Sequence, residues 1–70
     1  MKNNVIGTRI KELRVEAGLS QRELGEKLGF CNQSVSFWES GRREPSLDIV
    51  LQLAEFFGTS PNYLLGFSEF

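Results

Sequence analysis

The sequence contains no histidine and one cysteine, Cys31. The first absence removes the commonest general base, the usual metal ligand and every Ser-His or Cys-His nucleophile pair. The second rules out an internal disulfide and a zinc site built on cysteines. Asp48 is the one aspartate and the acids are not clustered, so the residues argue against an enzyme and call for no metal and no cofactor. No apolar run approaches the roughly 20 residues of a membrane span, and the first four residues lack a signal-peptide layout. These absences lead to the expectation of a reduced, cytoplasmic domain with no membrane contact.

What is present is a chain of 70 residues, one domain at most. A chain of that size buries only about 60% of its unfolded surface, so its core has to be well used. An apolar share of 40% with 24% charged residues is globular rather than disordered. The net charge of −1 conceals a split: residues 1–43 hold all eight Lys and Arg with five Glu, and residues 44–70 hold four acids and no base. One part of the chain can face phosphates and the other cannot.

Gly18, Gly29, Gly41, Pro45, Gly58, Pro61 and Gly66 divide the chain into segments with helical apolar spacing. Ile6, Ile10, Leu13 and Ala17 form the stripe of a first helix, capped by Asn3 or Asn4 and closed by Gly18. Ser20-Gln21-Arg22-Glu23 is a capping box opening a second helix, whose stripe is Leu24 and Leu28. Residues 31–40 form the third, closed by Gly41. Ser46 caps a fourth with Leu47, Val50, Leu51, Ala54 and Phe57 inward, and Ser60-Pro61 opens a fifth containing Tyr63, Leu64 and Leu65. No period-two stretch bounded by hairpin turns reads as a strand. The fold class predicted is all-α, a compact five-helix domain over residues 1–66 with a tail at 67–70.

Gly29-Phe30 joins the second and third helices by a connection too short for anything but a sharp corner. Gly25 is small where the axes approach, Gly29 is free to take positive φ, and Val35 and Trp38 are inward anchors three residues apart. On the third helix Cys31, Val35 and Trp38 then face inward, with Cys31 a small buried cap residue. Gln33, Ser36, Phe37 and Ser40 face outward, with Asn32 at the edge. Amides and hydroxyls on an exposed face suit base edges: Gln or Asn pairs bidentately with adenine, and Phe can meet a thymine methyl. No Lys or Arg stands on this face to make the commonest guanine contact.

Residues 6–65 resemble the lambda-repressor-like DNA-binding domains, the Cro and xenobiotic-response-element group. The resemblance is carried by Ser20-Gln21-x-Glu23-Leu24-x-x-Lys27-Leu28-Gly29 and by Ser34-Val35-Ser36-x-Trp38-Glu39-x-Gly41-x-x-x-Pro45-Ser46. It ends in Pro61-x-Tyr63-Leu64-Leu65-Gly66. The resemblance implies a dimeric DNA-binding regulator of transcription, a repressor, with helices two and three as its helix-turn-helix. It implies that Asn32, Gln33, Ser36 and Phe37 meet bases. It implies that Gln21, Arg42 and Arg43 meet phosphates, and Ser34 and Ser40 are placed with that set. Arg14 and Glu39 match a buried pair between helices one and three, which gives Glu39 a reason to stand near a helix C-terminus.

Three positions depart from the family pattern. Phe37 stands where a basic or polar residue is common, Cys31 replaces the usual Ser or Thr cap, and Gly25 replaces the usual Ala at a helix-propensity cost of about 0.5–1 kcal/mol. Phe37 therefore keeps three readings open: a thymine methyl, sideways packing, or a partner interface. Nothing but the helix N-terminus is expected to lower the Cys31 thiol pKa. Lys2, Arg9, Lys11, Arg22 and Lys27 are individually ambiguous, since each can pair with a neighbouring Glu. Phe56, Phe57, Tyr63, Phe67 and Phe70 are too many aromatics to hide, so part of them should emerge near helix five as a homodimer interface, unless Phe67 and Phe70 fold back. The expected partner is double-stranded DNA with inverted half-sites. The rival readings are a helical protein-interaction module using the Phe37 face and an antitoxin built on the same fold.

Overall fold

Polar caps set where the helices begin. Asn4 Oδ1 accepts the Gly7 N–H, Ser20 Oγ that of Glu23, Ser46 Oγ that of Ile49 and Ser60 Oγ that of Tyr63, each satisfying an amide that the first turn leaves orphaned. The computed structural model describes residues 4–69. Within them run α1 (Val5–Glu16), α2 (Gln21–Leu28), α3 (Asn32–Ser40), α4 (Leu47–Phe57) and α5 (Pro61–Leu65). Asn3, the alternative cap, and Phe70, the last of the aromatics, lie outside the described residues, as does Lys2.

Every helix contributes to one core: Ile10 from α1, Leu24 from α2, Val35 and Trp38 from α3, Val50, Leu53 and Ala54 from α4, and Leu64 from α5. Each large side chain taken fully from water is worth about 1.5–3 kcal/mol, so this small set supplies much of the driving force. Phe30 meets Trp38 edge to face at 5.3 Å between ring centroids, sealing the corner between α2 and α3. α3 lies between α2 and α1, and α5 packs on α1 and α4.

Four residues expected to face inward are exposed. Ala17 is exposed, because α1 ends at Glu16 and the chain turns away at Gly18. Cys31 is exposed too: it is the N-cap of α3 with extended backbone, so the helical angle that would carry it inward does not apply. On α4, Leu47 is 64% and Leu51 47% exposed, while Ile49, Leu53 and Phe57 pack inward with Val50 and Ala54. α4 is apolar nearly all round, so spacing alone leaves its rotation open; packing against its neighbours selects one arc.

Arg9 has the role that local charge pairing obscured. Its Nη1 donates to the carbonyls of Tyr63 at 2.7 Å and Ser68 at 2.8 Å, and its guanidinium carbon lies 4.2 Å from the Tyr63 ring centroid. It adds a charged donor to the Tyr63 carbonyl, which already accepts the Gly66 N–H, and fastens α5 and the tail to α1.

Candidate nucleic-acid interface

The corner between α2 and α3 is built from short-range bonds. Glu23 Oε1 accepts the Ser20 N–H at 2.8 Å, completing the capping box that starts α2. Gly29 closes α2 at φ 84°, a left-handed conformation that costs glycine nothing. Phe30 N then donates to Gly25 O at 2.7 Å, and a Cβ at Gly25 would stand 2.5 Å from the Phe30 carbonyl oxygen. Gly25 is therefore required by the close approach of two backbones, a gain that its propensity cost conceals. Gly7 has the same function on α1. It is buried, and a Cβ there would run into the Trp38 carbonyl.

α3 is fixed from behind by Glu39. Arg14 Nε donates to Glu39 Oε2 at 2.6 Å and Arg14 Nη2 to Oε1 at 3.1 Å, a bidentate pair. Gln21 Nε2 adds a bond to Glu39 Oε1 at 3.1 Å, and Arg14 Nη1 donates to Leu19 O at 2.8 Å. The Asn4 amide reaches Glu39 O at 2.9 Å. Residues from α1, α2 and the α1 cap thus converge on the last turn of α3. Gln21 spends one amide hydrogen here, which leaves its carbonyl oxygen and the other hydrogen for a second partner.

On the outer side Asn32, Gln33 and Ser40 are exposed, and Ser36, Phe37 and Ser34 are half-buried. Two of the serines are engaged locally. Ser34 Oγ lies 3.5 Å from Cys31 Sγ, and Ser40 Oγ donates to Phe37 O at 3.2 Å while accepting the Arg42 N–H at 3.4 Å. Arg43 N donates to Phe37 O at 3.3 Å, so the chain leaving α3 folds back over its last turn. Arg42 and Arg43 are both exposed. Gln33, Phe37 and Arg43 line one open groove, with Glu44 also on its wall.

Two titratable groups respond to this geometry. Hydrogen bonds from Ser20, backbone first and hydroxyl second, hold the Glu23 carboxyl below its ordinary range. The Ser34 hydroxyl, followed by the Ser34 amide, holds the Cys31 thiol below the usual cysteine range. That corrects the expectation that only the helix N-terminus would act on it. Among the described residues no group of His, Cys, Asp and Glu could hold a metal ion, and no helix is long and apolar enough to cross a membrane.

A short α2, a glycine corner and an α3 with a polar outer face define a helix-turn-helix module of the lambda-repressor type. The chain belongs to the helix-turn-helix family, whose family model matches residues 10–64. It is 41% identical over 64 residues to the HTH-type transcriptional regulator ImmR of Bacillus subtilis, matching 91% of this chain and 50% of ImmR. An uncharacterized HTH-type transcriptional regulator of Archaeoglobus fulgidus is 34% identical over 62 residues, 89% of each chain. The repressor protein C2 of Salmonella phage P22 is 34% identical over 65 residues, 93% of this chain and 30% of that protein. The crystal structure of the P22 c2 repressor with a synthetic operator superposes at a TM-score of 0.82 with 33% identity, covering 90% of this chain and 96% of that one. The chain thus spans half the length of ImmR and 30% of C2.

Proposed function

We propose that this chain is a sequence-specific DNA-binding regulator of transcription, acting as a repressor, whose α3 enters the major groove. The observation that carries the reading is the outer face of α3, where Asn32, Gln33 and Ser36 stand beside the exposed Arg42 and Arg43. The likeness to a repressor bound to its operator supports it. In this reading Gln33 and Asn32 meet base edges, with Ser36 and Phe37 on the same face. Gln21, Arg42 and Arg43 meet phosphates, and Ser34 and Ser40 lie along the same path with hydroxyls already engaged within the chain. The protein acts in the cytoplasm on inverted half-sites about one helical turn, roughly 34–36 Å, apart. A two-fold dimer through α5 and the tail matches that symmetry, and Phe67, 79% exposed just beyond α5, supports it.

The test is fluorescence anisotropy of the chain on duplexes it selects from a random library, against scrambled duplex. The expected preference is about 10³-fold or more. Gln33→Ala should weaken the selected site by roughly tenfold and leave scrambled DNA nearly untouched, the loss of one bidentate base contact. Equal, weak affinity for both duplexes overturns the reading in favour of a protein-interaction module. Sedimentation with Phe67→Ser reads the dimer: an unchanged dimer constant removes the tail from the interface.

A further inference from the structure

Phe37 is the one hydrocarbon side chain on the outer face of α3, and it is half-buried rather than projecting. Both arginines that follow the helix return to it. The guanidinium carbon of Arg43 lies 5.3 Å from the Phe37 ring centroid and that of Arg42 5.9 Å, each within cation–π range. The backbone brings them there: Phe37 O accepts both the Arg43 N–H and the Ser40 hydroxyl, and the Arg42 N–H in turn reaches Ser40 Oγ. Gln33, Phe37 and Arg43 share one groove, so the ring stands between the amide of the base-facing surface and the cations of the loop.

We propose that Phe37 is a positioning residue, a stacking platform that holds Arg42 and Arg43 ready for the sugar–phosphate backbone, rather than a reader of thymine. The inference rests on the DNA-binding reading above and names how that same surface is organised. A guanidinium attracted to a ring face uses its charge and leaves its N–H donors free for phosphate oxygens, whereas an ion pair with a carboxylate would spend them. A free arginine also loses considerable rotamer freedom on docking, and a ring that gathers two of them before DNA arrives reduces that loss. Because phosphate contacts carry no sequence information, the platform should raise affinity for every duplex by the same factor.

The experiment compares wild type, Phe37→Leu and Phe37→Tyr, each alone and with Arg42→Ala/Arg43→Ala, on the selected duplex and the scrambled one. Leucine keeps the apolar bulk without the π face, and tyrosine keeps the face. The expected result is a loss of about fivefold for Phe37→Leu on both duplexes alike. Phe37→Tyr should stay within about twofold of wild type, and Phe37→Leu should have no further effect once both arginines are gone. Independently of DNA, the δ-methylene protons of Arg42 and Arg43 should show upfield ring-current shifts in wild type that vanish in Phe37→Leu. Three results would overturn the proposal: a Phe37→Leu loss confined to the selected duplex, additivity with the arginine changes, or absent ring-current shifts. Replacing thymines of the selected duplex with uracil identifies a methyl reader directly. If wild type is sensitive at one position and Phe37→Leu is indifferent there, the ring reads that base. Failure of wild type to bind any duplex overturns the function itself, while intact ring-current shifts would show that the platform geometry survives that failure.

Discussion

Arg14 and Glu39 form a bidentate pair with side chains 12% and 5% exposed, and it joins the last full turn of α1 to the C-terminal end of α3. Removing one partner leaves the other charge buried without compensation. Glu39→Ala is expected to cost about 3 kcal/mol in urea unfolding. Replacing both partners with leucine-like residues should cost less than either single change. A loss in the double variant equal to that of a single one would show that the pair stabilises by attraction alone, and additive losses would show that the two residues act independently.

Gly25→Ala sets two effects against each other. Helix propensity favours alanine by about 1 kcal/mol. The new Cβ would meet the Phe30 carbonyl at 2.5 Å, and backbone rather than a flexible side chain has to move. Overpacking of this kind costs about 1–3 kcal/mol, so the net expectation is destabilisation, read as a lower thermal midpoint.

Arg9→Ala should loosen one end of the molecule. It removes two charge-assisted bonds to carbonyls and the contact with Tyr63, for an expected loss of about 2 kcal/mol. Amide exchange should rise first at Phe67, whose N–H bonds to Asn62 O in the same turn. Uniform acceleration across all five helices would argue instead for a general weakening of the core.

Glu23 provides a pH signature. Its folded pKa lies below the ordinary glutamate value because the Ser20 N–H and hydroxyl favour the charged form. The stabilisation is therefore complete above the unfolded pKa of about 4.3 and is lost as pH falls through the lower folded value. Carbon-13 titration should show Glu23 as a low-titrating carboxyl, and Ser20→Ala should move it up. An unmoved midpoint would show that the Ser20 N–H, which alanine keeps, holds the carboxyl down without the hydroxyl.

The Cys31 thiol should alkylate faster near neutral pH than a cysteine in an unstructured peptide, with its midpoint below the usual range. Ser34→Ala removes the hydroxyl 3.5 Å away and should raise that midpoint. A profile identical in both variants would show that the hydroxyl has no part in it.

Punctuation made most of the helix count legible in the sequence. Gly29, Gly41 and Gly66 close helices where the spacing placed their ends, and the Ser20, Ser46 and Ser60 caps open them. What spacing could not give was rotation on a helix apolar all round. Leu47 and Leu51 match an inward stripe as well as Leu53 and Phe57 do, and only tertiary packing separates the two arcs. Arg9 and the Asn4 amide were hidden for a different reason: their partners are carbonyls 35 to 59 residues away, which carry no residue-type signal. On the outer face of α3 the residue types were readable, but not how closely Arg42 and Arg43 approach Phe37, since that depends on how the chain turns after Gly41.

An exposed thiol at the start of α3 gives the wild-type chain a built-in chemical address. Cys31 is the only cysteine and adjoins Asn32 and Gln33, so a thiol-reactive cleavage reagent would attach at one known point without any engineered residue. Strand scission of a bound duplex by that tethered reagent would test, at nucleotide resolution, both the proposed entry of α3 into the groove and the proposed pairing of two copies.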